Sequence, residues 1–154
     1  MLRTIIIDDE RIILEELSEL LTSNQHIEVI GTYQNPLDAL NEMYTQKPDC
    51  AFLDIEITEM KGIEVAERLM SVNPGIEIIF VTAYSDYAAQ AYDMNAIDYL
   101  LKPIKSERLQ RSIEKLITKI GTKRINQTFS CKIRCFGAFE VFVGDYPVKW
   151  GRLS

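Results

Sequence analysis

Five polar side chains that could do chemistry follow short apolar runs in the sequence. They are Asp8, Asp9, Asp54, Thr82 and Lys102. The run before Asp54, residues 51–53, carries no charge or turn former, which is typical of a strand buried on both faces of a parallel sheet. In open α/β sheets, ligands bind beyond the carboxyl ends of the strands. We therefore expect the five side chains to meet at one edge of a sheet.

The three aspartates predict a cation site. Carboxylates within a few ångströms of one another raise each other's pKa unless a cation joins them. Mg²⁺ takes oxygen ligands, keeps several waters and usually binds through one or two carboxylates plus a phosphate. Lys102 suits a phosphate oxygen, and Thr82 adds a neutral donor. The predicted substrate is a phosphoryl group.

Five predicted strands alternate with five predicted helices around this site. Residues 11–21 repeat apolar side chains at helical spacing, residues 27–30 form a strand ended by Gly31, and residues 85–93 form a short helix with a weak apolar face. A last helix, capped by Ser106, runs to residue 120. Such alternation predicts a parallel sheet with helices on both faces.

The remaining residues have a different pattern. Residues 121–128 are polar and predict a linker. Residues 129–154 alternate apolar with polar side chains, which predicts a β-hairpin segment with turns at Gly137, Gly144 and Pro147.

Charge and composition restrict the partners. The chain has 154 residues and a formal net charge of −6. Residues 1–128 hold 13 basic and 21 acidic side chains, whereas residues 129–154 hold four and two. Because an acidic body is a poor general binder of nucleic acid, any DNA contact must lie elsewhere.

The cysteine and histidine content favours neither a disulfide framework nor a zinc site. Cys50, Cys131 and Cys135 are odd in number and lack CxxC spacing, and His26 is the only histidine. Cys50 is expected to be a small core residue in a reducing compartment. There is no secretory signal and no stretch near the roughly 20 apolar residues of a membrane helix, so we expect a cytoplasmic protein with no membrane partner.

Four motifs together resemble the receiver domain of two-component response regulators over residues 2–120. They are Ile-Asp-Asp-Glu at 7–10, Leu-Asp-Ile at 53–55, Val-Thr-Ala at 81–83 and Asp-Tyr-Leu-Leu-Lys-Pro at 98–103. The resemblance implies a flavodoxin-like, doubly wound (βα)5 domain at residues 1–120. Its five-stranded parallel sheet would have strand order 2-1-3-4-5.

The resemblance also implies roles for individual residues. Asp54 would accept a phosphoryl group from a sensor histidine kinase and form an acyl phosphate. Asp9 would bind Mg²⁺ directly, Asp8 through water, Asp54 by a carboxylate oxygen and Glu56 by its main-chain carbonyl. Lys102 would offset charge on the transferring oxygens. Such a protein modifies itself, with autodephosphorylation at most, and is not a turnover enzyme.

In the resembling family the signal leaves the site through a hydroxyl and an aromatic ring. Thr82 would move toward the phosphoryl group and Tyr99 would turn inward behind it, and the Lys102–Pro103 bond would be cis. Phosphorylation would promote a homodimer through the face containing Tyr99 and the last helix. We expect the final turns of that helix, around Leu116 and Ile120 with Ile117 between them, to lack cover and so to favour a partner.

Simpler interpretations compete with these roles. Asp8 and Asp9 could cap the first helix, Thr82 could bond the backbone, Lys102 could be a solvated charge and Tyr99 a core aromatic. The order Asp-Ile-Glu-Ile-Thr at 54–58 is similar to the nucleophile motif of haloacid-dehalogenase-type phosphatases, which require Asp where Glu56 stands. A stand-alone docking module is a third alternative.

A second resemblance covers about 20 residues of the segment 129–154. Ile133 to Phe142 followed by Pro147 to Trp150 is similar to the opening strands of the winged-helix DNA-binding domain in antibiotic-regulatory-type activators. Residues 129–154 would then be the start of an output domain. DNA would be bound only through the remainder of that domain, which this chain does not complete.

Overall fold

The computed structural model describes residues 1–130, 133–136, 138–143 and 146–148, with side chains described up to residue 125. The chain divides into two compact units, Met1–Glu114 and Lys115–Ser154. The elements in chain order are β1 (Leu2–Ile7), α1 (Arg11–Thr22), β2 (Ile27–Tyr33), α2 (Pro36–Gln46), β3 (Cys50–Leu53), α3 (Gly62–Val72), β4 (Glu77–Thr82), α4 (Ala88–Asp93), β5 (Asp98–Leu101), α5 (Ser106–Ser130), β6 (Ile133–Phe136), β7 (Ala138–Val143) and β8 (Tyr146–Val148).

Strands β1 to β5 form one parallel sheet in the order β2-β1-β3-β4-β5. Every residue of β3 and β4 is buried, as expected for central strands covered on both faces. The predicted flavodoxin-like fold and its strand order are confirmed.

The register of the sheet aligns the strand ends that carry the polar side chains. Ile7 pairs with Leu53, which pairs in turn with Phe80. The amide of Asp54 still donates to the Ile7 carbonyl at 3.0 Å, one residue beyond β3. Three charged residues therefore leave the sheet at one edge: Asp8, Asp54 and Lys102.

The helices pack apolar faces against the sheet, and residues at the N-terminus of α2 favour the start of a helix. Helix α1 buries Leu14, Leu17 and Leu21, which recur at helical spacing. Helix α2 has Pro36 in its first turn, and the Asn35 side chain accepts a hydrogen bond from the Leu37 amide at 2.9 Å. In the short helix α4 only one residue, Ala91, is buried.

Gly31 does not end strand β2, and that prediction is wrong. The strand continues to Tyr33, and the pairing with β1 shifts register next to Gly31, from Thr4–Val29 to Ile5–Gly31. A Cβ at Gly31 would lie 2.5 Å from the Tyr33 hydroxyl oxygen. The glycine therefore marks an irregularity inside a strand where an aromatic side chain approaches closely.

Helix α5 continues through residues 121–128, the segment predicted as a linker. This segment has no proline, and its one glycine, Gly121, costs a helix only about 1 kcal/mol relative to alanine. Polarity alone did not distinguish an exposed helix from a loop. The predicted domain boundaries themselves stay predictions.

The final turns of the predicted last helix are not without cover. Leu116 is fully buried, Ile120 is 7% exposed and Ile117 is half-buried. That prediction is wrong, because the fold removes this apolar stripe from water as far as Ile120. The exposed apolar side chain comes later in the helix, at Ile125.

The second unit contains a three-stranded antiparallel sheet in the order β6-β7-β8. The predicted hairpin is present as β6 and β7, and β8 adds a third strand. Pro147 was predicted in a turn but pairs with Phe142 within β8. This strand lies at the edge of the sheet. Proline is tolerated there because an edge strand can lack a main-chain N–H donor without losing a hydrogen bond to a neighbouring strand. The predicted turns at Gly137 and Gly144 fall outside the described residues.

Two composition-based expectations can be checked in the described residues. Cys50 is fully buried and free, and burial raises the pKa of its thiol. It is therefore the core residue that we predicted, whereas the side chains of Cys131 and Cys135 lie outside the described ones. Among the helices of the described residues, none has the length and apolar character to cross a bilayer.

Candidate functional site

Lys102 is the central cation of an acidic cup at the carboxyl edge of the sheet. Its Nζ lies 2.8 Å from Asp8 Oδ2, 2.9 Å from Asp54 Oδ2 and 3.2 Å from Glu10 Oε1. The Lys102 side chain is 10% exposed, and those of Asp8 and Asp54 are 3% and 5% exposed. Lys102 is therefore not a solvated surface charge.

Electrostatic interactions in the cup are strong because its charges are buried. Burial raises the pKa of Asp8 to about 6, although the ion pair with Lys102 and a hydrogen bond from the Glu10 amide oppose the rise. Burial lowers the pKa of Lys102, but its ion pairs with Asp8 and Asp54 outweigh this effect and raise the pKa overall. Lys102 thus stays protonated. Its single positive charge cannot neutralise all the carboxylates of the cup.

The donor set of the cup fits a hard divalent cation. Ligand oxygens of Asp8, Asp9, Glu10 and Asp54 lie within 4.8 Å of one another. The buried Oδ2 of Asp8 accepts no hydrogen bond of normal geometry from the described residues, although the Lys102 ammonium is close to it. Four carboxylates beside one ammonium, with an underused buried oxygen, match the all-oxygen coordination that Mg²⁺ prefers.

Asp9 is held differently from the other acids. Its Oδ2 accepts two hydrogen bonds from Thr58, at 3.2 Å from the amide and 2.8 Å from the hydroxyl. Within the part of the chain that the structure describes, Lys102 forms ion pairs with Asp8, Glu10 and Asp54 but not with Asp9. The loop that follows Asp54 therefore reaches back to fix this half-buried carboxylate.

Glu56 uses its main chain and side chain in different directions. Its amide donates to Asp54 Oδ1 at 3.3 Å. Its carboxylate accepts a hydrogen bond from the Tyr87 hydroxyl, which raises the pKa of that phenol, and Lys61 Nζ lies 5.7 Å from the centre of the Tyr87 ring. The side chain of Glu56 is thus tied to the residue before α4 and lies outside the acid cluster.

Tyr84 links the two residues predicted to switch. Thr82 is buried, and its Oγ1 accepts a hydrogen bond from the Tyr84 amide at 3.4 Å. The hydroxyl of the half-buried Tyr99 donates to the Tyr84 carbonyl. The main chain of Thr82 accepts from the Lys102 amide at 2.8 Å, and the Lys102–Pro103 peptide is cis.

Asp98, the residue before Tyr99, is anchored to helix α5. Arg108 donates to both of its carboxylate oxygens, at 2.5 and 2.6 Å, and Ser112 donates to it at 2.6 Å. Such bidentate pairs are among the stronger side-chain interactions. The start of β5 is thereby fixed to the first turns of α5.

The alternative roles weighed for the site residues meet mixed outcomes. Helix α1 begins at Arg11 with Glu10 as its N-cap, and no side-chain capping bond is present there, so Asp8 and Asp9 do not act as its N-cap. Thr82 does bond the backbone, as its simpler interpretation proposed.

The sequence profile of the response regulator receiver domain matches residues 4–114. The chain belongs to this receiver-domain family. Receiver domains are phospho-acceptors of two-component signalling that bind Mg²⁺ at an acidic pocket, and they are not classical enzymes.

Relatives of this receiver domain cover the same region. A response regulatory protein of Vibrio cholerae, described as uncharacterized, is 45% identical over 117 residues, which is 76% of this chain and 49% of that protein. The sensory transduction protein LytT of Bacillus anthracis is 39% identical over 115 residues, 75% of this chain and 47% of that protein. The chain spans about half the length of these curated relatives.

A solved receiver structure resembles the fold closely. The response regulatory domain of protein mrkE from Klebsiella pneumoniae superposes with a TM-score of 0.73 at 32% identity, covering 78% of this chain and 98% of that one. The likeness supports the flavodoxin-like assignment and is confined to the receiver.

Sequence reasoning missed three residues of the receiver site. Glu10 forms an ion pair with Lys102. Thr58 donates a hydrogen bond to Asp9, and Tyr87 donates one to Glu56. Glu10 could have been found as the third acid of the run 8–10. Thr58 and Tyr87 had no such signal, because their contacts depend on how two loops fold.

Proposed function

We propose that Asp54 is the phospho-acceptor of this receiver domain and that its donor is a sensor histidine kinase. The observation that supports this proposal is the position of Asp54 at the tip of the central strand, buried, with Lys102 at 2.9 Å. A carboxylate oxygen of Asp54 attacks the phosphorus of a phosphohistidine. The P–N bond breaks, the imidazole takes up a proton, and an acyl phosphate forms.

In the proposed reaction the protein supplies position and charge. The Glu56 amide and the Lys102 ammonium hold the two oxygens of Asp54, so the nucleophile is oriented before the phosphoryl group arrives. Lys102 then has the charge and the reach to follow the negative oxygens of the transferring group. The buried cup excludes bulk water around it.

A bound Mg²⁺ would neutralise charge on the phosphoryl oxygens. Asp9, Asp8 and Asp54 would hold it with their carboxylates, directly or through water, and Glu56 with its main-chain carbonyl. Glu10 lies in the same cluster, and its exposed side chain is free to leave Lys102 when the cup is filled.

Thr82 and Tyr99 are proposed to transmit the modified state. A hydroxyl drawn toward a phosphoryl oxygen gives up its bond with the Tyr84 amide, and the Tyr84 carbonyl is where the Tyr99 hydroxyl is bound. Movement of the Tyr84 main chain would therefore connect the phosphorylation site with the Tyr99 ring. The result is a shift between two arrangements of the loop before α4.

The proposal predicts that acetyl phosphate with Mg²⁺ adds one phosphoryl group to the protein, observed by intact mass spectrometry. Excess EDTA should prevent the addition, because Lys102 alone would then have to offset the negative charge of the incoming oxygens and of the neighbouring carboxylates. Labelling at more than one site, or equal labelling in EDTA, would contradict the proposed site. A single site with full metal dependence is the supporting result.

A dehalogenase-type phosphatase is not favoured. The Glu56 carboxylate is bound to Tyr87 and lies outside the acid cluster, and the receiver profile covers most of the chain. Repeated turnover of a phosphomonoester would distinguish the two, since a receiver is expected to modify itself without such turnover.

We also propose that the complete protein is a transcription regulator that binds DNA through an output domain. The winged-helix assignment of residues 129–154 stays a prediction, and similarity to proteins named LytT favours a different output family. The three antiparallel strands of this segment are compatible with an output domain that begins with strands.

Self-association is proposed as the consequence of phosphorylation, through the face containing Tyr99 and α5. Two large apolar side chains near Tyr99 in the sequence support this face, Tyr92 at 82% exposed and Leu101 at 49% exposed.

We expect sedimentation velocity to show monomers without, and dimers with, beryllofluoride and Mg²⁺. Tyr92→Ala should weaken the dimer, whereas Tyr44→Ala, which removes an equally large and 71% exposed ring from α2, should not. Monomers in both conditions across micromolar concentrations would exclude dimer switching by this chain.

A further inference from the structure

Thr58, in the loop after Asp54, forms two hydrogen bonds with Asp9, a proposed metal ligand. Its amide and its hydroxyl both donate to one oxygen, Oδ2 of Asp9, at 3.2 and 2.8 Å. Among the described residues, the Oδ1 atom of Asp9 accepts no hydrogen bond. One carboxylate oxygen is thus occupied twice and the other is left for a ligand.

The other acids of the cup are held in a different way. Asp8 and Asp54 are buried and paired with Lys102. Asp9 is half-buried and forms no ion pair with that lysine. In the described part of the chain, Thr58 is therefore the one residue that hydrogen-bonds to the Asp9 carboxylate.

We propose that Thr58 is a positioning residue that sets both the affinity and the selectivity of the cation site. The inference rests on the proposed function, because it assumes that Asp9 is a metal ligand. With Oδ2 held by two donors, Asp9 binds through one oxygen. A carboxylate restricted to one oxygen suits Mg²⁺, which demands octahedral geometry, more than Ca²⁺, which readily takes both oxygens of a carboxylate.

The expected loss of Mg²⁺ affinity can be taken from residues that hydrogen-bond to metal ligands in other proteins. Ligating carboxylates are themselves hydrogen-bonded in metal sites, and loss of such a partner lowers metal affinity by about 10- to 100-fold. Thr58→Val keeps the shape and the amide donor and removes only the hydroxyl. We expect the Kd for Mg²⁺ to rise by about tenfold, at the lower end of that range, with a smaller change for Ca²⁺.

The experiment is calorimetric titration of the unphosphorylated full chain with MgCl₂ and, separately, CaCl₂. Thr58→Ser restores the hydroxyl and should retain wild-type affinity and selectivity. Asp9→Ala should lose most Mg²⁺ binding in the same assay. Thermal unfolding in EDTA provides a reading that a purely structural role would change, and the Thr58→Val midpoint there should equal that of wild type.

The possible results distinguish the role of Thr58 from the proposed Mg²⁺ site on which it depends. Wild-type affinity and selectivity in Thr58→Val, or equal losses in Thr58→Val and Thr58→Ser, would overturn the role of the hydroxyl while leaving the metal site intact. If Asp9→Ala binds Mg²⁺ as wild type does, the proposed ligand set fails and the role of Thr58 fails with it. A selective tenfold loss in Thr58→Val, reversed in Thr58→Ser, supports the inference.

Discussion

Asp54→Asn is expected to gain no phosphoryl group from acetyl phosphate and Mg²⁺ under conditions in which the wild-type protein gains one. In the proposed reaction of the wild type, a carboxylate oxygen of Asp54 would bond to phosphorus and acetate would leave. The neutral amide oxygen of asparagine is too weak a nucleophile for this step. Intact mass spectrometry over a time course measures the loss.

Asp8→Asn is the matched control for this experiment. It also removes one buried carboxylate that contacts Lys102, at 2.8 rather than 2.9 Å, but it leaves the acceptor in place. We expect Asp8→Asn to be labelled more slowly and still at one site. Each variant keeps two carboxylates beside the ammonium, because Glu10 and the other aspartate remain, so neither should unfold. Labelling of Asp54→Asn at the wild-type rate would place the acceptor elsewhere.

Gly62→Ala is expected to destabilise the fold and displace the acceptor. A Cβ at Gly62 would lie 2.0 Å from the Asp54 carbonyl oxygen and 2.6 Å from the Ile55 Cα. Both atoms belong to the main chain, so no flexible side chain can move aside. The Gly62 amide also donates to the Ile55 carbonyl at 2.7 Å, which closes the loop tightly.

Overpacking of this kind costs about 1–3 kcal/mol and occasionally more, and a shift of about 1 Å at a reacting group can slow a reaction by roughly 100-fold. Urea denaturation and the rate of labelling measure the two effects. Gly75→Ala, at the other end of α3, is the control, because its Cβ would meet Asn73 Oδ1 at an ordinary 3.6 Å. Equal stability and labelling of the two variants would show that the close approach at Gly62 is unimportant.

The sequence predicted the parts of the site that depend on strand ends. Asp54 follows the buried strand β3 and Lys102 follows β5, and in a parallel sheet the register alone brings such residues to one edge. The fold class was predictable for the same reason, since alternation of strands and helices restricts the topology to a few forms.

Loop contacts were not predictable in this way. The bonds from Thr58 to Asp9 and from Tyr87 to Glu56 join residues 49 and 31 positions apart. They depend on loop conformations that periodicity does not encode. Helix α5 shows the reverse problem, because a polar stretch can remain helical when no proline or glycine cluster interrupts it.

The anchored start of β5 has a consequence for how quickly the receiver can change state. Asp98 is fixed to Arg108 and Ser112, and the next residue is Tyr99. Because the main chain beside the ring is fastened to α5, a switching Tyr99 would turn chiefly about its own side-chain bonds. The ring is half-buried and its hydroxyl is bound to the Tyr84 carbonyl, so it would turn together with the loop before α4. Loop motions take on the order of nanoseconds to microseconds, less than movements of whole helices. Phosphoryl transfer, rather than the ring, would then set the pace of signalling.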